Sequence, residues 1–142
     1  MKTIGLIPQR PPFVMVDDME IISPEHFRTT LLIKEGNMLC DENFFGESGL
    51  LEHIAQSAAA FIGDKSLREE GRIWPGYIGE IKNFNFLGFA KIGEVLTTEI
   101  RITTIFGDVT AIEAHTSVSS DADNQHLVAS CAMKLFVDRS HA

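Results

Sequence analysis

Phe44-Phe45-Gly46-Glu47-Ser48-Gly49-Leu50-Leu51-Glu52-His53-Ile54-Ala55-Gln56-Ser57-Ala58-Ala59-Ala60-Phe61-Ile62 is the stretch where the chain turns from strand-like to helix-like. Asp41, Glu42 and Asn43 precede it as turn formers, and Gly46 and Gly49 permit a tight backbone path. Ser48 is placed to cap a helix that begins at Gly49 or Leu50. Leu51, Ile54, Ala55, Ala58 and Ile62 recur at helical spacing, while Ala59, Ala60 and Phe61 make the other side apolar as well. A helix that is apolar on most faces is a buried helix, and its many alanines let a sheet approach closely. Glu52 and Gln56 interrupt the apolar run, and their spacing of four puts both side chains on one face. Burying a carboxylate costs on the order of several kcal/mol unless it is paired or protonated, so Glu52 is the first candidate for chemistry.

Outward from this helix, expected over residues 49–70, the chain reads as β-structure. Upstream, Pro8-Gln9-Arg10-Pro11-Pro12 is a rigid turn, because proline fixes φ and removes a donor. Residues 13–22 read as a first strand, Ser23-Pro24-Glu25 as a turn, and His26 to Lys34 as a second strand. Gly36 to Asn43 reads as a loop. Downstream, the polar run Asp64 to Glu70 is expected to be solvent-exposed and to end at Gly71. Four strands follow, over 77–89, 95–106, 109–119 and 125–137, with a tight hairpin at Gly107-Asp108. Ser120 to Asn124 reads as a polar turn and residues 138–142 as a tail. Two strands, one long helix and four strands define an α+β fold, a single domain over 1–142 in which an antiparallel sheet wraps the helix. Such a sheet has open edges, and a dimer is expected.

The composition narrows the partners. The net charge of -8 argues against nucleic acid and anionic membranes. No stretch approaches the roughly 20 apolar residues of a membrane span, and no signal peptide is evident after Met1-Lys2. Cys40 and Cys131 form no CxxC pair and read as reduced residues in or near the core, which suits the cytoplasm. His26, His115, His126 and His141 show no metal-ligand spacing, so neither a metal nor another cofactor is expected.

Several stretches resemble the 3-hydroxyacyl-ACP dehydratases of fatty-acid synthesis. Leu6-Ile7-Pro8-Gln9-Arg10-Pro11-Pro12-Phe13-Val14-Met15-Val16-Asp17 resembles their Leu-Pro-His-Arg-x-Pro-Phe-Leu-Leu-Val-Asp motif. Asp41-Glu42-Asn43-Phe44-Phe45 resembles their Asn-Glu-x-Phe-Phe, and Leu51-Glu52-His53-Ile54-Ala55-Gln56 their helical Glu-x-x-Ala-Gln. Ile81 to Phe86 and Gly93-Glu94 fit a later strand and turn. The resemblance implies the hotdog fold, dimers with one continuous sheet, and an acyl thioester substrate on a carrier protein or coenzyme A. It also implies a catalytic role for Glu52. The family's His-Phe-Pro-Gly loop is missing: only Gly46-Glu47-Ser48-Gly49 separates Phe45 from the helix, and nothing falls on the catalytic His. Dehydratase-like proteins of aryl-polyene pathways have a similarly altered loop, and the chain looks somewhat like those too.

Each candidate residue has two readings. Glu52 is a general acid/base in an acyl tunnel, its pKa raised by burial, or a carboxylate that holds the start of the helix by bonding to Gln56. His53 replaces the missing His across an interface, or simply faces solvent or a strand; it lies ~100° around the helix from Glu52, so the pair does not converge within one chain. The amides of Gly46, Ser48 and Gly49 polarise a thioester carbonyl, or serve only the helix. Gln56, Phe45 and Phe84 are expected to contact substrate, though packing also uses Phe. Asp17 and Asp18 read as turn or strand-edge residues. Three activities compete: dehydration, thioester hydrolysis by Glu52, and acyl binding as the partner subunit of a dehydratase heterodimer.

Overall fold

The computed structural model describes residues 1–119 and 125–139; the turn expected at Ser120 to Asn124 and the last residues of the tail, with His141, lie outside them. The strands are β1 (Asp18–Ser23), β2 (His26–Leu32), β3 (Cys40–Asp41) and β4 (Phe44–Phe45), then, after the helix α1 (Glu47–Glu70), β5 (Gly76–Phe86), β6 (Ala90–Lys91), β7 (Val95–Phe106), β8 (Val109–Ser119) and β9 (Gln125–Val137). Six strands form one antiparallel sheet in the order β1-β2-β7-β8-β9-β5, and β3, β4 and β6 form a small second sheet, of which β3 lies inside the stretch 36–43 read as loop.

The helix lies on the inward face of the large sheet. Strand alternation supplies that face: Leu96, Thr98 and Ile100 on β7, then Ile112, Ala114, Thr116 and Val118 on β8, are all buried. Phe27 of β2 stacks on Phe61 of the helix at 4.5 Å and 9°. Burying such a side chain stabilises by about 1.5–3 kcal/mol. Within this face one row is polar. Thr29, Thr98 and Thr116 are direct cross-strand partners on β2, β7 and β8, and all three are fully buried.

Glycines set the helix limits. Gly46, in extended conformation, is the N-cap and provides no side-chain bond. Ser48 is therefore not the cap; it lies in the first turn with its side chain exposed. Glu47 in that turn complements the helix dipole. Gly71 ends the helix at φ 75°, its N–H bonded to Leu67 O at 3.0 Å, as the Gly-stop pattern predicts. The last stretch is less open than its polarity suggests. Asp64 and Ser66 are buried, because the chain folds back after Gly71 and Trp74 N–H donates to Ser66 Oγ at 3.0 Å.

The first strand is shorter than its composition predicts. Residues 13–17 join no strand, because helix side chains take up backbone groups of Phe13 and Met15 and Thr3 bonds the carbonyls of Val16 and Asp17. Only Asp17 reaches the sheet, through N–H to Thr30 O at 2.8 Å. Asp17 Oδ2 accepts from Leu32 N–H at 2.8 Å, and Asp18 pairs with Lys2 at 3.3 Å, so both acids serve the strand edge. Ahead of them, the Arg10 guanidinium ties the proline-rich turn by donating to Ile4, Ile7 and Gln9 carbonyls at 3.1, 2.8 and 2.7 Å.

Candidate active site

The helix is not enclosed all round. Leu51, Glu52, Ala55 and Ala59 are half-buried and Ser48 is exposed, which at 100° per residue forms one open stripe. Glu52 is thus half-buried rather than fully buried. The sheet covers the opposite side of the helix, and the stripe is what it leaves uncovered. Glu52 Oε1 accepts from Gln56 Nε2 at 2.9 Å, the i to i+4 bond that their spacing predicts. Seven residues on, Ala59 borders a cavity of ≈ 320 Å³ against Ile7, Pro8, Ile73 and Trp74.

Gln56 is buried and its amide bonds within the chain. Its Oε1 accepts from Met15 N–H at 2.7 Å, and its Nε2 donates to Phe13 O and Glu52 Oε1, each at 2.9 Å. Its side chain thus ties Glu52 to the backbone of residues 13–15. The same segment engages His53, which is fully buried. Nδ1 lies 2.7 Å from Met15 O and Nε2 2.8 Å from Thr98 Oγ1. Burial lowers its pKa to about 4, outweighing the opposing pull of the Met15 carbonyl and the Asp17 charge, so the ring is neutral at pH 7. Both nitrogens are engaged; the ring faces strand β7 and is not free to act across an interface.

The other candidates separate. Phe45 is fully buried, and a Cβ on Gly49 would lie 2.7 Å from its ring. Phe45 is therefore a core residue seated on Gly49, and Gly49 is buried beneath it. Phe84 is half-buried and packs against both apolar clusters beside Asn83, which has φ 55°. A Cβ on Gly46 would lie 3.1 Å from the half-exposed Phe89 ring, which also meets Phe44 edge-on at 5.7 Å. Of the residues singled out from sequence, the structure brings Glu52, Gln56 and His53 into one hydrogen-bonded constellation and sets Phe45 and Phe84 into packing.

Thr98, Thr116, Thr29 and Ser57 belong to this constellation and were missed. Thr98 Oγ1 meets Thr116 Oγ1 at 2.7 Å; Ser57 Oγ donates to His53 O at 2.7 Å and meets Thr29 Oγ1 at 2.8 Å. A signal was present: threonine falls on the inward phase of three strands expected to face the helix. Cys131 is buried and its thiol is pushed up to about 11, which leaves it unreactive. Among the described residues no three His, Cys, Asp or Glu side chains gather as a metal site.

A long helix held by an antiparallel sheet defines the hotdog fold. The sequence matches the ApeP-like family, described as ApeP dehydratase, over residues 1–141, and the chain belongs to that family. Among solved structures, it is similar to the ApeI:P dehydratase heterocomplex of Xenorhabdus doucetiae, with TM-score 0.82, 11% identity, and coverage of 98% of this chain and 92% of that one. A hypothetical thioesterase from Streptococcus pneumoniae TIGR4, solved with coenzyme A, gives TM-score 0.64, 13% identity and coverage of 85% and 84%. The 4-hydroxybenzoyl CoA thioesterase of Pseudomonas sp. strain CBS-3 gives 0.63, 15% identity and coverage of 80% and 84%. At these identities the structural likeness carries the fold. No curated protein matches in sequence. No described helix is long and apolar enough to cross a membrane.

Proposed function

We propose that this chain is a dehydratase-like subunit acting on 3-hydroxyacyl thioesters, with Glu52 as its general acid/base. The observation that carries this reading is the placing of one carboxylate on the open stripe of the helix, oriented by Gln56, in a chain of the ApeP-like dehydratase family. Dehydration breaks the C2–H and C3–O bonds and forms a C2–C3 double bond, releasing water. Glu52 takes the C2 proton and returns a proton to the departing 3-hydroxyl, ending in its starting state. Ala55 and Ala59 leave room along the stripe for an acyl or aryl-acyl chain, which the cavity beyond Ala59 extends. The carrier is an acyl carrier protein or coenzyme A, and the setting is fatty-acid, polyketide or aryl-polyene type biosynthesis.

One carboxylate serving both proton transfers works less well than an acid and a base. His53 is committed to Met15 and Thr98, and this favours a second reading. In it the chain pairs with a related hotdog subunit that supplies the missing His, as the dehydratase heterocomplex of similar fold suggests. Thioester hydrolysis by Glu52 is the remaining alternative. The test incubates the purified chain, alone and mixed with a related dehydratase subunit, with 3-hydroxyacyl and with saturated acyl thioesters. Enoyl formation lost on Glu52→Gln supports the proposal. Thiol release from the saturated thioester without enoyl product overturns it in favour of hydrolysis.

A further inference from the structure

We infer that His53 is a positioning residue for Glu52, acting through the backbone of Met15 and the side chain of Gln56. This rests on the role proposed for Glu52. Met15 has both of its backbone polar groups taken by the helix. Its C=O lies 2.7 Å from His53 Nδ1 and its N–H donates to Gln56 Oε1 at 2.7 Å. A carbonyl oxygen only accepts, so His53 Nδ1 carries the proton. The ring is neutral, so Nε2 is an acceptor, and the Thr98 hydroxyl must donate to it at 2.8 Å. Thr98 Oγ1 then has only acceptor capacity left, and the Thr116 hydroxyl, 2.7 Å away, donates to it. One tautomer and one set of hydroxyl directions satisfy every group.

The same logic orients Gln56. An amide side chain has two orientations of similar shape, which differ in where the donor points. Because Met15 N–H must be met by an acceptor, Gln56 Oε1 is turned toward it, and Nε2 is turned toward Phe13 O and Glu52 Oε1. Glu52 therefore receives its hydrogen bond only while Met15 stays in place, and His53 fixes Met15 from its other side. A second pair of hydroxyls fastens the ring's own backbone: Ser57 Oγ donates to His53 O at 2.7 Å and accepts from Thr29 at 2.8 Å. Donors thus run from the sheet to the carboxylate, Thr116 to Thr98 to His53 to Met15, and Met15 to Gln56 to Glu52. His53 prepares the acid/base geometry from behind and does not touch substrate.

The closing experiment has one part that needs no turnover. Nitrogen-15 spectra of the wild-type imidazole should show a single Nδ1-protonated tautomer for His53; an Nε2-protonated or mixed ring overturns the proposal whether or not the chain is an enzyme. In His53→Leu, exchange of the Met15 amide and of the Gln56 side-chain amide should accelerate at least tenfold, and unchanged exchange also overturns it. In the kinetic part, His53→Leu should lower kcat ten- to a hundredfold with KM within about twofold. His53→Asn places an amide donor where Nδ1 was and should recover most of that loss. If His53→Leu folds and keeps wild-type kcat, or Asn recovers nothing, His53 is not a positioning residue. If His53→Leu fails to fold, the tautomer and His53→Asn carry the test. A chain that shows the tautomer and the exchange changes but no turnover sinks the dehydratase reading alone.

Discussion

At the scale of single residues, two ionisable groups next to each other in sequence have opposite environments. Glu52 sits on the open stripe with one donor, and His53 is sealed between the helix and the sheet. Glu52→Gln keeps the shape and an acceptor for Gln56 but removes proton transfer. We expect kcat to fall by about 10²–10⁴-fold, the usual range for an acid/base group, with an unchanged melting curve. A melting temperature that rises together with an inactive wild type would instead mark Glu52 as a tolerated charge.

His53 makes stability depend on pH with a defined sign. Its pKa moves from an ordinary 6.5 to about 4 on folding, so between these values the unfolded chain binds a proton that the native chain does not. Stability therefore rises with pH through that window. The full contribution is present above about pH 6.5 and is lost as pH falls toward 4. The displacement corresponds to about 3 kcal/mol. Urea midpoints at pH 7.5 and 4.5 should differ more in wild type than in His53→Asn. Equal differences in the two proteins would show that His53 is not the titrating group.

At the scale of elements, the helix is positioned by what crosses it. The N-terminal turn passes so close that a Cβ on Gly63 would lie 2.4 Å from the Leu6 carbonyl oxygen. Alanine normally gains about 1 kcal/mol over glycine inside a helix. Here the backbone must move, and we expect Gly63→Ala to destabilise by about 1–3 kcal/mol, read as a lower denaturant midpoint. The strands β7, β8 and β9 run over the residues that alternation and turn chemistry predict. Their signals are local: a period of two, and Gly107 at φ 59° in the hairpin. The Glu52–Gln56 contact was equally legible, since helix geometry alone creates it. What the sequence hid were partnerships at long range. The 13–17 segment looks like a strand because its residues suit one, and the helix amide at Gln56, the ring at His53 and the distant Thr3 redirect it. The core role of Phe45 was hidden for the same reason, because a Phe before a helix reads alike whether it meets a ligand or Gly49.

At the scale of the whole molecule, β5 is an edge strand that exposes Tyr77, Ile78 and Ile81. Long apolar edges invite a second sheet, and we expect association through β5 with a copy or a related subunit. Ile81→Lys adds a charge there, and sedimentation at micromolar concentration should show the assembly shifting toward single chains. An unchanged sedimentation coefficient would place the contact elsewhere.

The threonine row reaches beyond the bonds it makes. A cylinder resting on greasy ground can roll, because dispersion forces have little directional preference. At a helix radius of about 5–6 Å, a roll of about 20° swings a side-chain tip by roughly 2 Å. Thr29, Thr98 and Thr116 work as a detent, since bonds of 2.7–2.8 Å through Ser57 and His53 break before the axis turns that far. The stop sits on the sheet side of the cylinder, and Glu52 lies about 100° round the helix from His53 and about 140° from Ser57. A displacement of even 1 Å at a reacting group can cost about 10²-fold in rate, so under the role proposed for Glu52 three hydroxyls on the sheet side of the helix would govern its aim.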